Sequence, residues 1–531
     1  MTFRLPLLLL LALGTGCVRQ HFYQPDARLP AAPGQPPLAA DSARVTVGRQ
    51  YAHGGLHNLF FGPHYRRVWA TPVVLPVLQL GQVVPGGLKP GKLGGGFQST
   101  SMTMNATGGR AYSLRTLDKN PYKTLPKVAR KSFLLNIVRD ATSAANPFGA
   151  FVVPPLAEAA GVLHTTPRPF YVRLDETGLG ASSALFQGKV VMLEEKFEGK
   201  ANLTPAFGAA TDLQDSDEML RARYAQASHQ LDQLAFARAR LLDIWLGDWD
   251  RHEGQWQWAL YQERGRTLYR PIPKDRDQVF YRFDDGLIPW LASRRWAVRK
   301  FRTFKPKYED VGGLVKNAAF IDERALSEVS GAQFEQLARD LQRRLTDSVI
   351  IRALHQLPPA VYAVEGPRTL AALQARRATL PAAARTFYRL LARRVTVAGT
   401  DQAERFVVQR LTDSTTLVSV YQLPAAGEKP LADPLLYRRL FRTAETRRLT
   451  LHGLAGEDVF EVSGQVGRGI RVDVFGGPGA DELRDTSVVR RGGRKTVFYD
   501  TKSGNSFTEG PEVRDKTEHG AGMHVYDREG Y

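Results

Sequence analysis

Gly247-Asp248-Trp249-Asp250-Arg251-His252-Glu253-Gly254-Gln255-Trp256 is the most informative stretch of this chain. It follows a long helical pattern over residues 216–246, where Leu231, Leu234, Ala235, Leu241 and Leu242 recur at helical spacing. A strand-like LYRPIP (268–273) comes next, then Lys274-Asp275-Arg276-Asp277-Gln278. Carboxylates are thus placed on loops at the ends of regular elements, where chemically active groups are usually displayed. One is suited to act as a base toward a hydroxyl and another to bind a divalent metal. Phosphoryl transfer needs both, because it depends mostly on positioning and charge neutralisation. The same residues also have a structural reading. Asp248 and Asp250 can cap a turn, Trp249, Trp256 and Trp258 can anchor a core, and charges at a buried turn can form an ion network.

On the N-terminal side, residues 72–80 (PVVLPVLQL), 111–117, 168–174 and 188–194 read as strands, with a glycine-rich stretch over 86–96 and a helical pattern over 129–145. On the C-terminal side, Phe334, Leu337, Leu341, Leu345 and Val349 mark an amphipathic helix. Strands first and helices later predict an α+β body over residues 51–357, divided near residue 200. Residues 358–394 read as two Ala-, Arg- and Leu-rich helices, a connector to a β-rich module over 395–500. Residues 501–531 are a polar tail that stops without a clear terminal element, as a truncated longer protein would.

The N-terminus reads MTFRLPLLLLLALGTGC: one Arg, an apolar run from Leu5 to Leu13, small residues, then Cys17. The run is too short to span a bilayer as a helix and has the pattern of an export signal. Residues 18–50, rich in Pro, Ala and Gln, suit a tether. The chain has 531 residues, 43% hydrophobic and 24% charged, which excludes a disordered chain, a collagen and a disulfide scaffold. Its single cysteine excludes an intramolecular disulfide. With 72 Lys and Arg against 53 Asp and Glu, the net charge is +19 and favours anionic partners. No basic run interleaves with aromatics, so nucleic acid is not expected.

Asp250-Arg251-His252 followed by a strand and then Asp275-Arg276-Asp277 resembles the catalytic core of atypical kinases with a protein-kinase-like fold, among them the secretory-pathway casein kinases, the CotH spore-coat kinases and the HipA toxin kinases. The resemblance implies a two-lobed protein-kinase-like domain followed by a C-terminal all-β module. It implies an exported phosphotransferase moving phosphate from ATP or another nucleotide to a hydroxyl, with Mg²⁺ or Mn²⁺. Asp250 takes the base position, with Arg251 and His252 beside it. Gln255 stands where a protein kinase has a metal-binding Asn, and Asp275 or Asp277 takes the place of the metal-binding Asp. By order and spacing, Gly94, Gly95 and Gly96 correspond to the glycine-rich loop, and Arg115 or Lys119 to the phosphate-pairing Lys. Asp140 or Glu158 would hold that cation, and Leu193 to Glu195, with Glu194 at the centre, would form an adenine hinge. The alternative is a catalytically inactive kinase-like lipoprotein that binds an anionic envelope ligand or acts in an outer-membrane assembly.

Leu13-Gly14-Thr15-Gly16-Cys17 resembles a bacterial lipobox with Cys17 as the lipidated residue, which implies an outer-membrane lipoprotein facing periplasm or surface. The chain is also similar to uncharacterised exported lipoproteins of Bacteroidetes-type bacteria, which share YRxxWA (Tyr65 to Ala70), GGGxQ (Gly94 to Gln98), GDWDRHxxQW and a Pro-x-Asp-Arg-Asp-Gln stretch.

Two further patterns stand apart. His53, His57 and His64 cluster early, but Gly54 and Gly55 weaken the helix that would align the first pair for a metal. In the β module, GGPGADEL (476–483) resembles the repeat of calcium-binding β-rolls, with a degenerate copy at GLAGEDVF (453–460). Two copies not in tandem fall short of a stacked roll. Asp458 and Asp481 either bind calcium there or close two tight turns.

Overall fold

The computed structural model describes residues 21–31, 34, 38–94, 99–424, 434–500, 505–508, 510–517 and 526–530. Gly95, Gly96 and Cys17 lie outside them. The N-terminal part is built on an antiparallel sheet of β1 (Leu88–Gly94), β2 (Ser101–Ala106), β3 (Ala111–Thr116), β4 (Arg168–Tyr171) and β5 (Val190–Glu195), in the order β1-β2-β3-β5-β4. Strict alternation in AYSLRT puts Tyr112, Leu114 and Thr116 inward, while Arg115 takes the other face. Helix α1 (Gly55–Phe61) precedes this sheet, and α2 (Gly149–Ala160) lies between β3 and β4.

The pattern over 216–246 is not one helix. It divides into α3 (Ser216–Ala225) and α4 (Gln233–Leu246), separated by a short strand, β7 (His229–Leu231). Asp232 caps α4 by accepting from the Ala235 N–H, and that cap ends the continuity. A second sheet runs β6-β8-β9-β7, with β6 (Asp212–Asp215), β8 (Trp256–Glu263) and β9 (Arg266–Pro273). Helix α4 is buried with Trp245, Trp256, Trp258 and Tyr269 in the largest core. Helices α5 (Leu287–Ala292), α6 (Gly331–Arg344), α7 (Asp347–Leu354) and α8 (Pro359–Ala392) complete this part. The expected connector of two helices is a single one of 34 residues, continuous through Pro367 and Pro381. The predicted helix through Val349 is broken at Leu345, where Thr346 caps α7.

From Arg394 the chain is β. One parallel sheet stacks β10 (Arg394–Ala398), β14 (Arg448–His452), β16 (Arg471–Phe475), β18 (Thr496–Tyr499) and β20 (Val513–Asp515). The facing sheet stacks β11 (Glu404–Thr412), β15 (Val459–Ser463), β17 (Glu482–Asp485) and β19 (Ser506–Thr508) in parallel. The β12 (Thr415–Gln422) and β13 (Leu435–Arg442) hairpin is added at its edge. Columns such as Val397-Leu451-Val474-Phe498 and Phe406-Phe460-Leu483 fill the space between the sheets. The GLAGED and GGPGAD turns therefore sit on successive rungs, 23 residues apart. The expectation that they fall short of stacking is corrected here, because degenerate rungs on either side supply the neighbours. Arg223 of α3 donates to the Ala398 and Gly399 carbonyls, and Tyr437 donates to that of Ser327, so the module is docked on the helical part. Among the described residues no helix is long and apolar enough to cross a membrane.

Candidate functional site

Helix α4 ends at Gly247, whose left-handed φ of 72° closes the helix with its N–H on the Asp243 and Ile244 carbonyls. The chain then turns into the GDWDRH loop over a buried ion network. Asp243 accepts from Arg240 at 2.6 Å and from Arg276, with Arg251 Nε 3.5 Å away. Arg276 also donates to Asp248 at 3.1 Å, and Arg240 to Asp322 at 2.6 Å. Burial alone would raise the Asp243 pKa, but Arg276, Arg251 and Arg240 outweigh it and hold the carboxylate low. Burial together with Asp243 pushes Asp248 up to about 6. Arg251 donates to the Lys274 carbonyl at 2.7 Å and the Gln255 carbonyl at 2.8 Å, tying the loop to the end of β9. Arg251, expected beside the reacting groups, is buried and instead holds the loop in shape. Asp248 and Arg276 have the same structural part.

Asp275 and Asp277 of the second loop meet Arg115 and Lys119 at the end of β3, an inner strand of the first sheet. Arg115 of β3 pairs with Asp275 at 2.5 Å and lies 3.8 Å from Glu194 of β5. Lys119 pairs with Asp277 at 2.5 Å. Burial opposes ionisation of Asp275, yet Arg115 and Lys119 hold its pKa well below the usual carboxylate range. Asp277 is raised by burial and by Asp275 beside it. Asp275 adopts φ 57°, a left-handed conformation costly for a residue with a side chain and common at functional sites. Asn146 and Met192 line a cleft together with Arg115, Lys119 and Asp277.

Asp250 is partly exposed and accepts from Asn317 Nδ2 at 2.6 Å. Lys300 donates to Asn317 Oδ1 at 3.2 Å. His252 caps the short turn after the loop, accepting from the Gly254 N–H. Its pKa is raised, first by Glu253. Gln255 lies against His252 and supports Asp275, and its Oε1 is buried with no hydrogen-bond partner. An amide oxygen without a partner beside the Asp275 carboxylate offers oxygen donors, which suit Mg²⁺ or Mn²⁺.

Two expectations are corrected. Neither Asp140 nor Glu158 holds the cation: Glu194 and Asp275 flank Arg115, and Asp140 is taken by Arg66, His53 and His57. Glu194 is not a free hinge. It pairs in register with Ser113, and its buried carboxylate accepts from Thr165 at 2.5 Å. His64 binds Asp285 and is apart from the other two histidines. Gly94 ends β1, paired with Ser101. Sequence reading missed Asn317, which lies 67 residues from Asp250 with no local signal to connect them.

In the β module, consecutive turns form a ladder of acids. The Glu404 N–H donates to Asp458 Oδ1 at 2.8 Å, the Asp458 N–H to Asp481 Oδ1 at 2.9 Å, and the Asp481 N–H to Asn505 at 2.9 Å. The second oxygens of Asp458 and Asp481 are buried without partners. They face Gly453 and Gly476, where a Cβ would meet them at 2.1 and 2.4 Å. Burial, then Glu404, raises Asp458 to about 9; burial, with Asp500 adding, raises Asp481 to about 7.

No protein-family model and no curated protein matches the chain. Among solved structures, the proinflammatory kinase CtkA of Helicobacter pylori matches at 13% identity and a TM-score of 0.30, over 56% of this chain and 95% of that one. HipA of Shewanella oneidensis, from its complex with HipB and operator DNA, matches at 13% identity and a TM-score of 0.22, over 59% of this chain and 75% of that one.

Proposed function

We propose that this protein is an exported, kinase-like phosphotransferase that moves phosphate from a nucleotide to a hydroxyl. The observation that carries this reading is the pairing of Arg115 with Asp275 and of Lys119 with Asp277 beside Asp250, Gln255 and a cleft. Two half-buried cations face three carboxylates, counting Glu194. Such a site can exchange its internal ion pairs for the phosphates of a ligand and a divalent metal. In this reading Arg115 and Lys119 clamp the phosphates, and Gln255, Asp275 and Asp277 hold the metal. A bound Mg²⁺ or Mn²⁺ would neutralise charge on the phosphates. Asp250, positioned by Asn317, takes the proton of the acceptor hydroxyl as its oxygen bonds to phosphorus and the nucleoside diphosphate leaves. Export and acylation at Cys17, with an envelope location, belong to the same proposal.

The test is thermal shift on the full chain with ATP or GTP and Mg²⁺ or Mn²⁺. A ligand specific for the native state at a hundred times its Kd stabilises it by about 2.7 kcal/mol. The expected shift requires metal and disappears in Asp275→Ala. No shift with any nucleotide would shift the reading to an inactive kinase-like lipoprotein that binds an anionic envelope ligand.

The buried, unpartnered oxygens of Asp458 and Asp481 support a second reading, Ca²⁺ bound between rungs of the β module. Calcium takes carboxylate and carbonyl oxygens in flexible numbers, and these turns offer both. The protons now favoured at Asp458 and Asp481 would then be displaced by the ion. A carboxyl whose folded pKa is raised stabilises at low pH and loses that contribution as pH rises through the folded value. Without calcium the module should weaken progressively from about pH 4, where the unfolded carboxyls ionise, up to about pH 7 for Asp481 and about pH 9 for Asp458. Millimolar calcium should raise its Tm at pH 8 more than at pH 6, and Asp458→Asn with Asp481→Asn should abolish the response. An unchanged Tm at pH 8 would leave the turns as a ladder of protonated carboxyls.

A further inference from the structure

Helices α1 and α5 pack against each other and leave an apolar face uncovered. Leu56 is 73% exposed, Leu59 64% and Trp296, just after α5, 78%, with Leu287, Trp290 and Leu291 also exposed. Isolated exposed apolar residues need no explanation, but a contiguous group including two tryptophans marks an interaction surface. The charge around it is mainly basic, although Asp310 pairs with Arg299 and Arg302, and Asp140 and Asp285 hold the histidines beside α1. Residues 286–303 contain Arg294, Arg295, Arg299, Lys300 and Arg302 with no acid, and no acid occurs from residue 42 to residue 117, which includes α1. Arg294 stacks on Trp290 at 4.0 Å, so aromatic and cationic groups share the same patch. Tryptophan and leucine flanked by arginine suit the boundary between anionic headgroups and acyl chains, where apolar burial and charge attraction add.

The face leads to the proposed reaction centre. Phe301, five residues past Trp296, packs on Trp249 of the GDWDRH loop at 4.9 Å. Lys300 binds Asn317, which positions Asp250.

We propose that the α1–α5 face docks on an anionic lipid bilayer and presents the Asp250 cleft to the headgroup layer. If the phosphotransfer reading holds, on which this further step rests, the acceptor is a hydroxyl of a lipid headgroup.

The seven tryptophans make the test specific. Trp69, Trp245, Trp249, Trp256 and Trp258 are buried, so Trp290 and Trp296 are the two exposed to a bilayer. The full chain carrying Cys17→Ser, to prevent acylation, is mixed with phosphatidylglycerol vesicles bearing brominated acyl chains, and tryptophan quenching is followed. Quenching is expected with these vesicles at low salt, not with phosphatidylcholine, and weakens as salt screens the attraction. Arg294→Gln with Arg295→Gln keeps both reporters and should raise the lipid concentration for half-quenching about thirty-fold, since each basic residue near an anionic surface contributes about five-fold. No quenching with anionic vesicles, or equal quenching in the double variant, overturns the proposal. So does concentration-dependent protection of the tryptophans from acrylamide without lipid, which would assign the face to a second copy of the chain. The nucleotide shift is measured without lipid, so failure of either reading is seen separately.

Discussion

Asp243→Ala should destabilise the helical part of the protein by about 3–5 kcal/mol, the cost of removing one partner from a buried ion pair. The variant leaves Arg240, Arg251 and Arg276 buried around Asp248 and Asp322, so three guanidiniums face two carboxylates. Asp243 is the member all three arginines share, and it is fully buried. Its loss also frees the loop that Arg251 ties to the Lys274 and Gln255 carbonyls. The measurement is the denaturant midpoint of the transition reporting on the buried tryptophans Trp245, Trp256 and Trp258. The β module has its own core and should keep its transition. A loss below about 1 kcal/mol would mean that water or local rearrangement supplies the missing charge, and that the network does not hold the loop.

Asp250→Asn should do the reverse: phosphoryl transfer falls about a thousand-fold while Tm changes little. A positioned general base contributes about 10²–10⁴ in rate. Asp250 is partly exposed, and its Oδ1 accepts from Asn317, which an amide oxygen can also do. The assay is transfer from labelled nucleotide, to the protein itself or to lipid vesicles, in the presence of Mg²⁺ or Mn²⁺. Activity close to the parent's would remove Asp250 as the base. The contrast between Asp243 and Asp250, seven residues apart in one segment, separates the two readings that GDWDRH allows. In the proposed reading, stability belongs to the buried Asp243 and Asp248, and chemistry to the half-exposed Asp250.

The sequence by itself determined a good deal. A strand over residues 111–117 carrying Arg115 is legible, as are two acidic loops flanking a second strand at 268–273. A β-rich module is legible in its short β-branched runs, but not the parallel pairing of those strands. These signals are local: period, cap and turn chemistry act within a few residues. What only the tertiary structure decided is pairing across distance. Nothing near Asp250 points to Asn317, and nothing near Arg115 says that its acids are Glu194 and Asp275 rather than Asp140 or Glu158. Arg251 and Arg276 look like site residues in sequence because the motif sets them among acids, and burial makes them structural. The degenerate turn at residues 453–460 looked too isolated to stack, yet parallel pairing aligned Asp458 with Asp481. The physical reason is the same throughout. A charged side chain is defined by the partners that offset its desolvation, and those partners are brought to it by the fold rather than by its neighbours in the chain.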